Sequence, residues 1–404
     1  MQLRRLTLLL SVMTTLSCAS SSHSRSEEPE DDLDVTMDKA SPKAVQAKAP
    51  EGEVAAPITA QPQAKVGLAA VTNWQAFFKA PPTALETSVL ARKLEHWPET
   101  AGVKELRGKG RAEMAIGRLS AAEVSFRQAL RVASEDLETM LDLAALYLRQ
   151  QKLNEAFALL TQAKEVISSS DSVTQTVLIK YRYTLALAFI GRGERDKGHR
   201  ILSDLIGLDK TFTPAYASLA SSYLAIGRAS VAEFVLKRGL DRVQDNASLM
   251  NLMGVIAQQA RQSEAARVWF DKALSVAPNY APALVNRAVL SAANLEFAAA
   301  EEDLLQALKA DPQQVDALVA LGVVQKRQGN ISGAKASFSK AVDSDPDNAY
   351  GRYNLAALLA DDLKKPNEAL RLFHEVLQTP AANSELKELA RSYINDLTPL
   401  GSRY

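Results

Sequence analysis

Small and apolar positions in this chain recur at an interval far longer than a helical turn. Between Ala281 and Asn348 one pattern is stated twice, 34 residues apart: Ala288, Ala300, Ala307 and Pro312 are answered by Gly322, Ala334, Ala341 and Pro346. Each copy reads as two helices and a turn. Small residues at positions 8 and 20 of the copy let its two helices approach closely, and a small position 27 makes room for the first helix of the next copy. The late proline stops the second helix, because it cannot continue the backbone hydrogen-bond ladder. The register extends in both directions. Further copies begin at Ala247, Thr213 and Ile179, at Leu137 and Val103 before an eight-residue insertion (Asp171–Leu178), and at Ala349 beyond. Position 8 is then Gly110, Ala144, Ala186, Ala220, Gly254, Ala288, Gly322 and Ala356. Position 20 is Ala122, Ala156, Gly198, Ala232, Ala266, Ala300, Ala334 and, after one inserted residue, Ala369.

A 34-residue period with these offsets resembles the tetratricopeptide repeat, a helix–turn–helix unit. The copy "VDALVALGVVQKRQGNISGAKASFSKAVDSDPDN" is similar to that family's consensus from end to end. The resemblance implies an all-α solenoid of about eight repeats over residues 103–382, an elongated body in which each repeat packs on its neighbours. Residues 383–404 hold one more helix, Ser384–Leu397, with Leu386, Leu389, Ala390 and Tyr393 on one side. It resembles the solvating helix that ends such arrays.

The same resemblance implies a concave face lined by positions 2, 5, 9, 12 and 13 of each repeat. Those positions supply Ala217, Ser221 and Leu224, then Asn251, Val255 and Gln258, then Val285, Val289 and Ala292. They continue as Val319, Val323, Lys326 and Arg327, and end at Tyr350 and Tyr353. The first repeat is basic there, with Lys104, Arg107 and Arg111. The Lys/Asn/Asn/Lys/Arg set with which some members clamp chaperone carboxylates is missing. A largely apolar groove suits an amphipathic helix or an extended apolar peptide. Two alternatives stand beside that: a segment of this same chain fills the groove, or these side chains are buried between repeats.

Before the repeats the chain changes character. Arg4 and Arg5, the apolar stretch Leu6–Met13 and Ser17 read as an export signal over residues 1–17. Cys18 follows, the only cysteine of the 404-residue chain, and resembles the acylation site of bacterial lipoproteins, although Thr15 stands where that family prefers Leu. A signal cleaved elsewhere, with Cys18 discarded, is the alternative. Residues 18–65 are serine-rich, then acidic from Glu27 to Asp34, then rich in Ala, Pro, Lys and Gln. Such sequence buries too little apolar surface to offset chain entropy, so a disordered tether is expected. Residues 66–102 carry Trp74, Phe77, Phe78 and Trp97, and Thr83–Leu94 has the stripe of an amphipathic helix through Leu85, Val89 and Leu94. A cap over the first repeat is the expected role of that helix, and Trp74–Phe78 is left as cap or docking peptide.

Charge and chemistry then narrow the function. Lys plus Arg equals Asp plus Glu at 47 each, which argues against a nucleic-acid footprint. His23, His96, His199 and His374 are isolated, no phosphate-binding glycine loop occurs, and no metal, cofactor or catalytic set is expected. The expectation is a non-enzymatic scaffold, lipid-anchored at Cys18 in a bacterial outer membrane with its body in the periplasm. It would serve an envelope assembly such as secretion, pilus or gliding-motility machinery, by docking a helix or peptide of another envelope protein. A soluble periplasmic protein is the alternative location. An adaptor that recruits peptidoglycan enzymes or proteases is the alternative function, and an enzyme a remote one.

Overall fold

The computed structural model describes residues 93–94, 102–170, 173–345, 348–379 and 382–398. Among these, 17 helices and no strand occur. They pair in chain order: α1 (Val103–Ala115) with α2 (Leu119–Val132), α3 (Leu137–Arg149) with α4 (Leu153–Ser169), and α5 (Gln175–Arg192) with α6 (Arg195–Leu208). Next come α7 (Thr213–Ala225) with α8 (Ala229–Leu240), α9 (Ala247–Gln259) with α10 (Ser263–Val276), and α11 (Ala281–Ala293) with α12 (Phe297–Ala310). The last pairs are α13 (Val315–Arg327) with α14 (Ile331–Ser344) and α15 (Ala349–Asp361) with α16 (Pro366–Gln378), followed by the single helix α17 (Ser384–Leu397). First helices start where the 34-residue register puts them, save α5, which begins four residues before Ile179. There the insertion supplies an extra turn, capped by the Thr174 hydroxyl accepting from the Val177 N–H. The export signal, Cys18, the tether, the aromatics from Trp74 to Trp97 and the late Pro346 lie outside the described residues; of the Thr83–Leu94 helix only Lys93 and Leu94 are described, both helical.

Local chemistry explains the boundaries. Asp136, Asn246, Asn330, Asn348 and Asn383 each accept a hydrogen bond from the backbone N–H three residues on, satisfying a donor that the first helical turn leaves free. Each tight turn inside a pair places one residue in the left-handed region. Glycine fills it at 117, 193, 227 and 329, whereas Gln151, Arg261, Leu295 and Lys364 adopt it at φ between 54° and 65°.

The core runs between the two helices of each pair and on into the next pair, so each helix packs on its partner and first helices stack on one another. The small residues do what their spacing requires. A Cβ added at Gly254 or Gly322 would sit 2.4 Å from the ring of Phe270 or Phe338, and one at Gly110 would sit 2.6 Å from Phe126. In each case the phenylalanine is sixteen places later, on the second helix of the same pair. Where position 8 is alanine, as at Ala144, Ala220 and Ala288, the facing place holds the smaller Leu160, Leu236 or Leu304. Ala356 opposite Phe373 is the exception, in the repeat that carries an inserted residue. The Cβ of Ala334 is likewise fully enclosed.

At the carboxyl end, α17 buries Leu386 and Ala390. Its Tyr393 stacks on Phe373 at 4.7 Å and donates to Asp361 at 2.7 Å. No helix among the described residues is long and apolar enough to cross a membrane.

Candidate partner-binding face

The first helices lie side by side, and their contacts divide the face into two chemistries. At the amino-proximal end, Arg107 of α1 donates to Asp136 at 2.6 Å, and Arg111 donates to Glu138 at 3.0 Å and Asp142 at 2.5 Å. Asp142 of α3 has no exposed surface, and its other oxygen accepts from Lys180 of α5 at 2.5 Å. Burial pulls the Lys180 ammonium below the usual lysine range, against the opposing charge of Asp142. Neutral polar pairs continue the seam. Tyr183 and Ser218 share a buried hydrogen bond of 2.8 Å, with the Tyr183 phenol pushed up to about 12 by burial. Asn286 donates to Asn251 at 2.9 Å.

Beyond Asn286 the seam turns apolar. Val319 is fully buried, and Val289 and Val323 are 8% and 9% exposed. At the far end Tyr353 packs edge-on against Phe373 and Tyr393, with ring centroids 5.6 and 6.1 Å away. Tyr350 accepts from Asn383 at 3.1 Å, and burial, followed by the charge of Glu385, raises its phenol above the usual range. Lys326 reaches Asp362 at 2.9 Å.

The expected groove residues therefore separate into two sets. Asn251, Val289, Val319, Val323 and Tyr353 are buried, as are Ser221, Leu224 and Ala292. The expectation that these side chains line an open groove is corrected: Asn251 bonds Asn286 of the neighbouring first helix, and Val289 and Val323 are nearly closed over. Val255, Gln258, Val285, Lys326, Arg327 and Tyr350 keep partial exposure, as does Ala217. Val255 and Val285 belong to successive repeats. Lys335 and Lys340 on α14 are exposed, as expected of an outer face.

The ladder of Arg111, Asp142 and Lys180 was the part hidden from sequence reasoning. Arg107 and Arg111 were legible as basic, but their acidic partners lie 27 to 31 residues away on the next first helix. Position 5 meets the residue 35 places later in Tyr183–Ser218 and Asn251–Asn286, but the ladder's contacts span 31 and 38 residues, so that spacing does not give them. No cluster of His, Cys, Asp or Glu suited to a metal ion occurs among the described residues.

Family models described as tetratricopeptide repeat match residues 107–171, 286–349 and 324–385, and another of the same description matches residues 247–280. The cellulose synthase operon protein C of Xanthomonas axonopodis pv. citri is 27% identical over 212 residues. That match takes in 51% of this chain but 14% of the relative, so the chain spans about one-seventh of that protein's length. Among solved structures, yeast Tom70 superposes with a TM-score of 0.54 at 15% identity, covering 80% of this chain and 71% of Tom70. A chain of the Cut9–Hcn1 assembly gives 0.52 at 13% identity, covering 76% and 59%. At these identities the structural likeness concerns the fold alone.

Proposed function

Because the chain is a tetratricopeptide-repeat protein, we propose that it is a scaffold that docks a helix or extended peptide from another envelope protein onto the half-exposed strip of its first helices. The observation that carries the reading is the pair Val255 and Val285, apolar, partly open and on adjacent repeats, with Gln258 on α9 and Arg327 on α13 also partly exposed. Apolar anchors at the spacing of neighbouring helices suit a partner that presents an apolar face, while the polar neighbours set its orientation. The amino-terminal sequence supports export and attachment: Arg4, Arg5, the Leu6–Met13 core and Cys18 are the features of an acylated leader. One acyl chain holds a protein only marginally, so durable attachment takes more than one chain. Secretion, pilus and motility assemblies are the settings in which such an anchored scaffold would act.

The test is capture of partners from envelope extract by wild-type protein and by Val255→Glu/Val285→Glu. These two side chains are only partly buried, so the variant is expected to keep its helical signal and melting temperature while losing capture. Undiminished capture by a folded double variant overturns the strip. Palmitate labelling that is equal in wild type and Cys18→Ser overturns the anchor.

A further inference from the structure

Repeats in a linear array touch only their neighbours, yet this chain makes a contact between repeats far apart in sequence. The turn between α1 and α2 meets the loop between α12 and α13. A Cβ built on Gly117 would lie 3.1 Å from the side-chain oxygen of Gln313 and 3.9 Å from its Cβ. The neighbouring repeat contributes to the same junction. Arg149, in the last turn of α3, bonds the Met114 carbonyl at 3.4 Å. Burial lowers its pKa, and the opposing charge that acts on it is that of Asp311, from the same distant loop. Two side-chain oxygens next in sequence to these residues, Gln150 Oε1 and Gln314 Oε1, are buried without a hydrogen-bond partner. Loop tips are normally hydrated.

We propose that this junction is an intramolecular clasp, which closes the solenoid on itself by seating the α12–α13 loop against the α1–α2 turn and the end of α3. Closure makes the first six repeats a bounded turn rather than an open crescent. The clasp stands on contacts within the chain and does not depend on a partner.

The geometry supplies its own test. A Cβ–Cβ separation of 3.9 Å suits a disulfide. In a Cys18→Ser background, which removes the only native cysteine, Gly117→Cys/Gln313→Cys should cross-link within one chain under mild oxidation. Most of the monomer should shift in non-reducing electrophoresis and return with reductant. A pair that stays reduced under conditions that oxidise a control pair between adjacent repeats overturns the clasp. Gly117 has φ of +80°, where a cysteine is strained, so a second measurement leaves that residue intact. Asp311→Asn keeps the acceptor for the Gln313 N–H but removes the charge facing Arg149. Amide exchange should then rise at Met114–Gly117 and Arg149–Gln150 as well as locally. A rise confined to α12 and α13 is the behaviour of a linear array and overturns the proposal.

Discussion

The seam between α1, α3 and α5 and the seam between α11, α13 and α15 occupy the same place in the same repeat, yet opposite chemistry holds them. In the first, one fully buried carboxylate, Asp142, is shared by Arg111 and Lys180. In the second, the place of Asp142 is taken by Ala320, buried beside Val319 and Val323. The repeat therefore fixes where helices meet and leaves open what joins them. An apolar seam gains from removing carbon surface from water. A buried ion pair offsets much of its attraction by desolvation, so its worth lies less in net stability than in which helix faces which. On this account the charged seam specifies the order of the first three repeats, and the apolar seam tolerates exchange among hydrophobic residues of similar volume.

The largest effect is expected from moving charge into the apolar seam. Val289→Glu/Val323→Glu places two carboxylates at nearly closed sites, at a cost of several kcal/mol per ion. Loss of cooperative melting in the carboxy-proximal repeats, seen by amide exchange over residues 281–361, is the expected readout. A well-folded variant would mean that these valines face solvent and that the two seams differ less than their burial indicates. The converse is to remove charge from the polar seam. Asp142→Ala leaves Arg111 and Lys180 without their shared partner and should cost about 3–5 kcal/mol in denaturant unfolding. Replacing all three residues by hydrophobic ones of similar volume should be neutral or stabilising by about 1–4 kcal/mol. If the triple replacement is as damaging as the single one, the ladder contributes net stability and the contrast with the valines weakens.

Smaller effects sharpen the comparison within the apolar half. Gly322→Ala forces a methyl against the Phe338 ring and should cost about 1–3 kcal/mol. Adding Phe338→Leu recreates the Ala–Leu pairing of Ala288 with Leu304 and should recover most of that loss. Additive losses in the double variant would dissolve the pairing rule. The smallest effect is one of pH. Loss of hydration, with the charge of Asp345, pushes the Asp316 carboxyl up to about 6 from an ordinary 3.8. Its folded-state value is raised, so the contribution is fully present below about pH 4 and is lost as pH rises through about 6. Asp316→Asn should therefore stabilise the seventh repeat at pH 7 by on the order of 1–3 kcal/mol, with the two curves meeting near pH 4. Parallel curves across that range would remove Asp316 from the account.

Much of this fold was legible because the period is strict. The 34-residue spacing of small residues placed the first helix of each pair, save α5, which starts four residues early. The facing of the strip was less legible. Apolar character at Val319 or Tyr353 does not say whether the residue meets a partner or the next first helix, since both surfaces reward carbon. Only neighbouring side chains decide, as Phe373 and Tyr393 do for Tyr353. The ladder through Asp142 escaped for a related reason: its members are separated by 31 and 38 residues, and local charge pattern carries no sign of them. The contact of Gly117 with Gln313 depends on the accumulated rotation of six repeats, which no single window of sequence contains.

The central claim is that a partner docks on the half-exposed strip of the first helices. Site-specific photo-crosslinking in the protein's own cells addresses it most directly, with the reactive residue placed in turn at Val255, Val285, Arg327, Lys335 and Lys340. The account predicts one recurring adduct from Val255, Val285 and Arg327 and none from the outer-face lysines. Adducts from Lys335 and Lys340, with the strip positions silent, would contradict it.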